Sequence, residues 1–363
     1  MKRNYDKSLL LEIRENEYVE SIKGVDVLMK PIPDDNRINI IDPRVLETMK
    51  KKKAMLKSRT KDGFLLSKER NRLDIISYDL SETNIDIKER LIDVGDHKID
   101  VYICSPETKD KKLPVLIYLH GGGYYCGDMR KYVNQMKLIA EKAQAVVIFP
   151  EYRLTPEASY PAAQEDCLGT IKWVEENAEE LNIDPNCLTI AGDSAGGALV
   201  NACVLRDKDK NIKKVIEIYP VADCSDYRDQ KLYSWTYDDF PVIDDHKEYA
   251  YGRIDRIKET AYIKEKDNIY IQGKTNYQNP DVSIIFALDD KLKEFPETII
   301  IASEYDYLRT GSDYFVKRLS DLKVKVKSIR YLGCDHGFFD MLGLVVQAEE
   351  LCLLIAREIS CKL

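Results

Sequence analysis

A chain of 363 residues with 44% hydrophobic and 33% charged side chains can bury a sizeable core, which excludes disordered and fibrous classes. A single hydrophobic core stops growing at roughly 250 to 300 residues, so a main domain with a smaller appendage is expected. The net charge of −8 gives no electrostatic reason to bind the polyanionic backbone of nucleic acid.

At the amino terminus, basic residues lead only into Leu9, Leu10 and Leu11 before Glu12, short of the apolar region of a secretion signal. No run approaches the ~18 apolar residues of a membrane span. Residues 1–85 show no strand-helix rhythm. Within them Lys50, Lys51, Lys52 and Lys53, flanked by Met49 and by Ala54, Met55 and Leu56, are read as the solvated face of an amphipathic helix rather than a contact for membrane or phosphate. The nine cysteines are odd in number, scattered and without metal-ligand spacing, so neither a disulfide framework nor a zinc site is expected. A reducing cytoplasm is the simplest home.

From residue 87 onward, short β-rich runs alternate with helical patterns, which predicts a sheet with helices on its faces. Ile87 to Val94 and Lys98 to Cys104 form the opening hairpin, turned at Gly95 and Asp96. Further strands are expected over Pro114 to Leu119, Ala145 to Phe149, Leu188 to Ala191, Lys214 to Tyr219, Thr298 to Ala302 and Val324 to Ile329. Their near-continuous apolar character fits strands buried on both faces, as in a mostly parallel sheet. Helices are expected over Tyr132 to Ala143, Ala163 to Asn177 and Leu344 to Ile359, the last with an apolar stripe read as core. Residues 222–285 break the alternation, being rich in Tyr, Asp and Lys with turn signals at Gly252, Gly273 and Asn279-Pro280.

The strand at Leu188 runs into Gly192-Asp193-Ser194-Ala195-Gly196-Gly197 and then into a helical apolar pattern. Strand, sharp turn, helix is the setting in which G-x-S-x-G holds a nucleophile, and the glycines allow the strained backbone and close approach such a turn demands. Upstream, His120-Gly121-Gly122-Gly123 follows a strand and can aim backbone N–H groups at the oxyanion of a tetrahedral intermediate, with the N–H of Ala195 completing the set. Four histidines exist: His97 beside a hairpin turn, His120 in the glycine loop, His246 in the irregular insertion, and His336 after the last strand. Only His336 satisfies the chain order nucleophile, acid, histidine. The acid is expected in the loop after Thr298 to Ala302, where Asp306 and Glu304 both qualify chemically.

Taken together, His120-Gly-Gly-Gly, Tyr152-Arg153-Leu154-Thr155-Pro156-Glu157, Tyr160-Pro161-Ala162-Ala163 with Glu165-Asp166, Gly192 to Gly197, Asp306-Tyr307-Leu308-Arg309 and His336-Gly337-Phe338 resemble the hormone-sensitive lipase family of esterases, the bacterial family IV. The resemblance implies Ser194 as nucleophile, His336 as base and Asp306, in the family's D-x-L-R pattern, as the acid. It implies Gly122, Gly123 and Ala195 as oxyanion donors. The Tyr152 to Glu157 segment and Asp166 are structural by the same likeness. It further implies an α/β-hydrolase fold with a mostly parallel central sheet, flanking helices and a mainly helical cap. The core is then residues 86–221 and 286–363, with residues 1–85 contributing to a cap completed by the insertion 222–285. Two departures stand out: Ile284 follows Ser283 where the family usually has proline, and the amino-terminal stretch is long and charged.

The expected reaction is hydrolysis of short- to medium-chain acyl esters through an acyl-enzyme, with a small-molecule ester as partner, no cofactor and no metal. Three alternatives stay open: a deacetylase, an amidase, or a non-catalytic ligand binder of the kind seen in the plant gibberellin receptors, which resemble this family but lack its histidine. A homodimer is also open. Tyr124 and Tyr125, together with Tyr233, Trp235, Tyr237 and Phe240, either line the pocket or pack cap on core, and packing is the preferred reading.

Overall fold

In the computed structural model, which describes residues 3–59, 65–71, 77–107, 111–226, 230–261 and 268–359, the apolar runs become strands of one ten-stranded sheet. In chain order the strands are β1 (Tyr18–Ile22), β2 (Val25–Lys30), β3 (Ile85–Asp93), β4 (Lys98–Pro106), β5 (Leu113–Leu119), β6 (Val146–Pro150), β7 (Ile183–Asp193), β8 (Lys214–Ile218), β9 (Glu297–Tyr305) and β10 (Val326–Asp335). They lie in the order β1-β2-β10-β9-β8-β7-β5-β6-β4-β3. All pairings from β2 through β10, β9, β8, β7 and β5 to β6 are parallel, while β1 with β2, β3 with β4, and β4 with β6 are antiparallel.

The helices are α1 (Leu9–Glu15), α2 (Pro43–Arg59), α3 (Leu66–Arg70), α4 (Met129–Ala143), α5 (Ala162–Glu176), α6 (Ala195–Arg206), α7 (Asp244–Ala261), α8 (Asp289–Leu292), α9 (Arg309–Asp321) and α10 (Val346–Ile359). Helices α4 and α10 pack on each other, as do α5 and α6, and α9 lies on β9 and β10. The central strands are therefore buried: Val115, Leu116, Ile117, Ile190, Val215, Ile216, Ile299 and Ile301 are all inaccessible. This is why they read as unbroken apolar runs rather than alternating ones. The stripe expected on the last helix is core, with Leu351, Cys352 and Ile355 buried.

The amino-terminal segment departs from its expected part in a cap. Strands β1 and β2 form a hairpin, and β2 adds in parallel to β10, so residues 18–30 extend the sheet. Helix α1 packs on α10. Arg3 forms a two-pronged bond to Glu349 at 2.6 and 2.7 Å, and the buried Lys30 lies between Glu17 and Glu350. The segment showed no strand rhythm because most of β1 is exposed and carries no apolar alternation. Helix α2, in contrast, does pack on α7 of the insertion.

Among the described residues seven cysteines form no disulfide, but Cys187 is disulfide-bonded, which corrects the expectation of no disulfide; such a pairing follows from tertiary approach and not from sequence spacing. Cys361 lies outside the described residues. Among the described residues no helix is long and apolar enough to cross a membrane, and no group of three or more His, Cys, Asp or Glu could hold a metal ion.

Candidate active site

Ser194 stands at the turn from β7 into α6, with φ 54° and ψ −119°. A left-handed φ at a residue with a side chain is strained, and packing around the turn enforces it. Gly196 shows how tight that packing is: a Cβ there would collide with the carbonyl oxygen of Leu119 at the end of β5. The serine is thereby lifted clear of the sheet at the carboxyl ends of its parallel strands, the region where ligands bind in open α/β sheets.

Ser194 Oγ lies 3.0 Å from Nε2 of His336, and His336 Nδ1 lies 2.6 Å from Oδ2 of Asp306. Asp306 follows β9, is fully buried, and also accepts the N–H of Leu308 at 3.0 Å through its other oxygen. A buried, hydrogen-bonded carboxylate there fixes the imidazole with Nδ1 as donor and leaves Nε2 free to accept the serine proton. Glu304, the chemical alternative, is elsewhere: its Oε2 accepts the N–H of Gly333 at 2.6 Å, and burial raises its pKa. It braces the loop that carries the histidine.

The other three histidines have other partners. His120 is buried and its pKa is pushed down to about 4 by that burial; its carbonyl accepts the Tyr152 hydroxyl at 2.6 Å. His97 bridges Asp96 and Asp166, each at 2.7 Å. His246 accepts the N–H of Ile41 at 3.0 Å, tying the amino-terminal segment to α7.

Gly122 and Gly123 have φ of +127° and +61°. The Gly122 carbonyl accepts the N–H groups of Tyr125 and Cys126, which curls the loop. Asp193 fastens this loop to the serine turn. One of its oxygens accepts the N–H of Gly121 at 2.7 Å and the Tyr118 hydroxyl at 2.9 Å, and the other accepts the Tyr132 hydroxyl at 3.1 Å. Burial, then the nearby Asp340, push its pKa up to about 6, opposed by Lys131. Sequence reasoning found the loop and the turn but not this link, whose signal was the Asp inside the serine motif. Arg153 clasps Asp166 through its side chain, at 2.8 to 3.0 Å, far from the serine chemistry.

Over Ser194 lies a cavity of about 340 Å³ whose walls include Gly122, Gly123, Ala195, Tyr219, Tyr270 and His336. Tyr124 and Tyr125 also line it, and the Tyr124 ring stacks on Tyr270 with centroids 3.6 Å apart. Tyr233, Trp235, Tyr237 and Phe240 are not among its lining residues. Trp235 packs edge-on against Tyr307 and Phe240, Tyr237 bonds Asp255, and Tyr233 bonds Asp223. The lysine run also divides. Lys50 and Lys53 lie over the Tyr249 ring, Lys51 is exposed, and Lys52 reaches the cavity, which the reading of a wholly solvated face missed.

Fold and cavity together define an α/β hydrolase. The model of the alpha/beta hydrolase fold family matches residues 116–340, and the chain belongs to that family. A putative alpha/beta hydrolase of Acanthamoeba polyphaga mimivirus is 28% identical over 280 residues, covering 76% of this chain and 75% of its own. The arylesterase of Saccharolobus solfataricus is 29% identical over 258 residues, covering 69% and 76%. Among solved structures, carboxyl esterase 2 of Tuber melanosporum aligns with a TM-score of 0.67 at 25% identity, covering 88% of this chain and 98% of its own. These matches uphold the resemblance to hormone-sensitive-lipase-type esterases, and the chain is an enzyme of the carboxylester hydrolase class.

Proposed function

We propose that the protein hydrolyses short- to medium-chain carboxylic esters by acyl transfer through Ser194. The observation that carries this is the continuous chain from Ser194 Oγ through His336 to the buried Asp306, at 3.0 and 2.6 Å. His336 Nε2 takes the serine proton as Oγ attacks the ester carbonyl, and Asp306 stabilises the imidazolium. The oxyanion receives hydrogen bonds from the N–H groups of Gly122, Gly123 and Ala195. His336 then gives its proton to the departing alcohol, leaving an acyl-enzyme. Water, deprotonated by the same nitrogen, attacks the acyl carbonyl and releases the acid and free serine.

A complete set of nucleophile, base and acid favours catalysis over a purely ligand-binding role. A cavity of about 340 Å³ with Tyr124, Tyr219 and Tyr270 among its walls supports short acyl groups over long ones. The division of labour proposed for the chain makes 86–221 and 286–363 the core, with α2 and residues 222–285 covering the site. A cytoplasmic location rests on the seven cysteines that form no disulfide among the described residues, and the Cys187 disulfide counts against it.

The test is Ser194→Ala in folded protein, assayed with para-nitrophenyl butyrate, together with a fluorophosphonate probe on the unaltered chain. Turnover should vanish and the probe should attach to Ser194. Retained turnover, or attachment elsewhere, would remove the assignment.

A further inference from the structure

The wall of the cavity beside His336 is basic, in a chain whose net charge is −8. Three separate elements bring cations to it: Lys52 from α2, Lys131 from α4 and Arg253 from α7. Lys131 pairs with Asp340 at 2.8 Å. Arg253 donates through one Nη to the carbonyl oxygen of His336 at 2.8 Å and faces Asp335 at 3.3 Å. Among the described residues Lys52 has neither a hydrogen bond nor an ion pair. Lys131 and Arg253 thus each face a carboxylate, and Lys52 is the cation of the three left without one among the described residues.

An ammonium group held in a cleft without a partner is costly, and burial pushes the Lys52 pKa down against the pull of Asp335 and Asp340. A bound anion would supply the missing partner. A single unpaired ammonium suits a monoanion, because Asp335 and Asp340 repel a second negative charge. A simple apolar acyl ester makes no use of any of this.

We propose that Lys52, backed by Lys131 and Arg253, binds a carboxylate of the substrate, so that the ester this enzyme hydrolyses carries one negative charge near its scissile bond. The inference rests on the acyl-transfer reading and adds the substrate class to it. Lys52 acts here in binding and takes no part in bond breaking.

Two matched pairs of esters test it. In the first the charge is on the alcohol side, para-acetoxybenzoate against para-acetoxybenzamide. In the second it is on the acyl side, the para-nitrophenyl half-ester of adipate against its methyl diester. In at least one pair the anionic member should have a kcat/KM about tenfold higher, mainly through KM. Lys52→Gln should remove most of that ratio and Lys52→Arg should restore it, with melting temperatures confirming that both variants fold. Lys51→Gln, at an exposed residue paired with Glu47, should leave it unchanged. Equal kcat/KM within both pairs, or a preference that Lys52→Gln does not move, overturns the subsite while leaving the hydrolase intact. Absence of turnover on all four esters, together with no fluorophosphonate labelling of Ser194, would instead remove the acyl-transfer reading beneath it.

Discussion

The amide N–H of Gly121 donates to Oδ1 of Asp193 at 2.7 Å, so the residue just before Ser194 in the chain holds the loop that faces it. Nucleophile turn and glycine loop come from different strands, β7 and β5, and this bond sets their spacing. Replacing Asp193 by Ala strands the Gly121 N–H and the hydroxyls of Tyr118 and Tyr132 in a buried site. Each unsatisfied group costs on the order of 1–3 kcal/mol. Asp193→Ala should lower the melting temperature clearly, and in the protein that still folds kcat should drop more than KM rises; unchanged thermal unfolding would refute the link.

Asp306 and Glu304 can be separated by isosteric changes. Asp306→Asn keeps the shape but disturbs the tautomer of His336, so kcat should fall by roughly 10³ to 10⁴. Glu304→Gln keeps an amide oxygen to accept the Gly333 N–H and should leave kcat within about threefold. Comparable losses of kcat in both variants would reopen the choice of acid.

Among the histidines, His336→Asn should be about as damaging as Ser194→Ala, since the two groups act as a unit. His246→Asn touches only the hydrogen bond from the Ile41 N–H and should keep most activity. Steady-state kinetics of the two variants, side by side, decide the matter.

Gly196→Ala should be among the most destabilising single-methyl changes in the chain. Its Cβ would overlap the Leu119 carbonyl, backbone against backbone, where no side chain can yield. The turn can then survive only by separating β5 from α6. Calorimetry should show a lower melting temperature and assays a loss of turnover; a soluble variant with full activity would contradict this packing.

Glu217 on β8 is fully buried, with Asn201 at 2.8 Å as its one hydrogen-bond partner among the described residues, and burial pushes its pKa up to about 8. A carboxyl with a raised folded-state pKa binds more protons folded than unfolded. Its contribution to stability is therefore full below about pH 4.5 and is lost as pH rises through about 8. Within that window the slope approaches about 1.4 kcal/mol per pH unit. Glu217→Gln should flatten the decline of melting temperature between about pH 4.5 and about pH 8; an unchanged profile would show that the carboxyl is not protonated in the fold.

The sequence disclosed what short-range rules control. The central strands announced themselves through unbroken apolar runs, and Ser194 and His336 through glycine spacing and chain order. Asp306 needed the family likeness, because Glu304 and Asp306 are chemically alike and two residues apart, and only their hydrogen-bond partners tell them apart. Lys52 was hidden for a different reason. Which face of α2 points inward is decided by α7, far along the chain, so a run of four lysines looked uniform. The hairpin of β1 and β2 escaped because β1 buries little and its register is set by β10.

That hairpin has a practical consequence. Strand β2 covers the flank of β10, whose far end leads into the His336 loop, and α1 shields part of α10. A shortened protein beginning at residue 85 would keep Ser194, Asp306 and His336 yet bare a row of backbone amides and carbonyls along β10. Such a piece invites strand exchange between copies, so aggregation rather than faulty chemistry would be the first sign of trimming the amino-terminal segment.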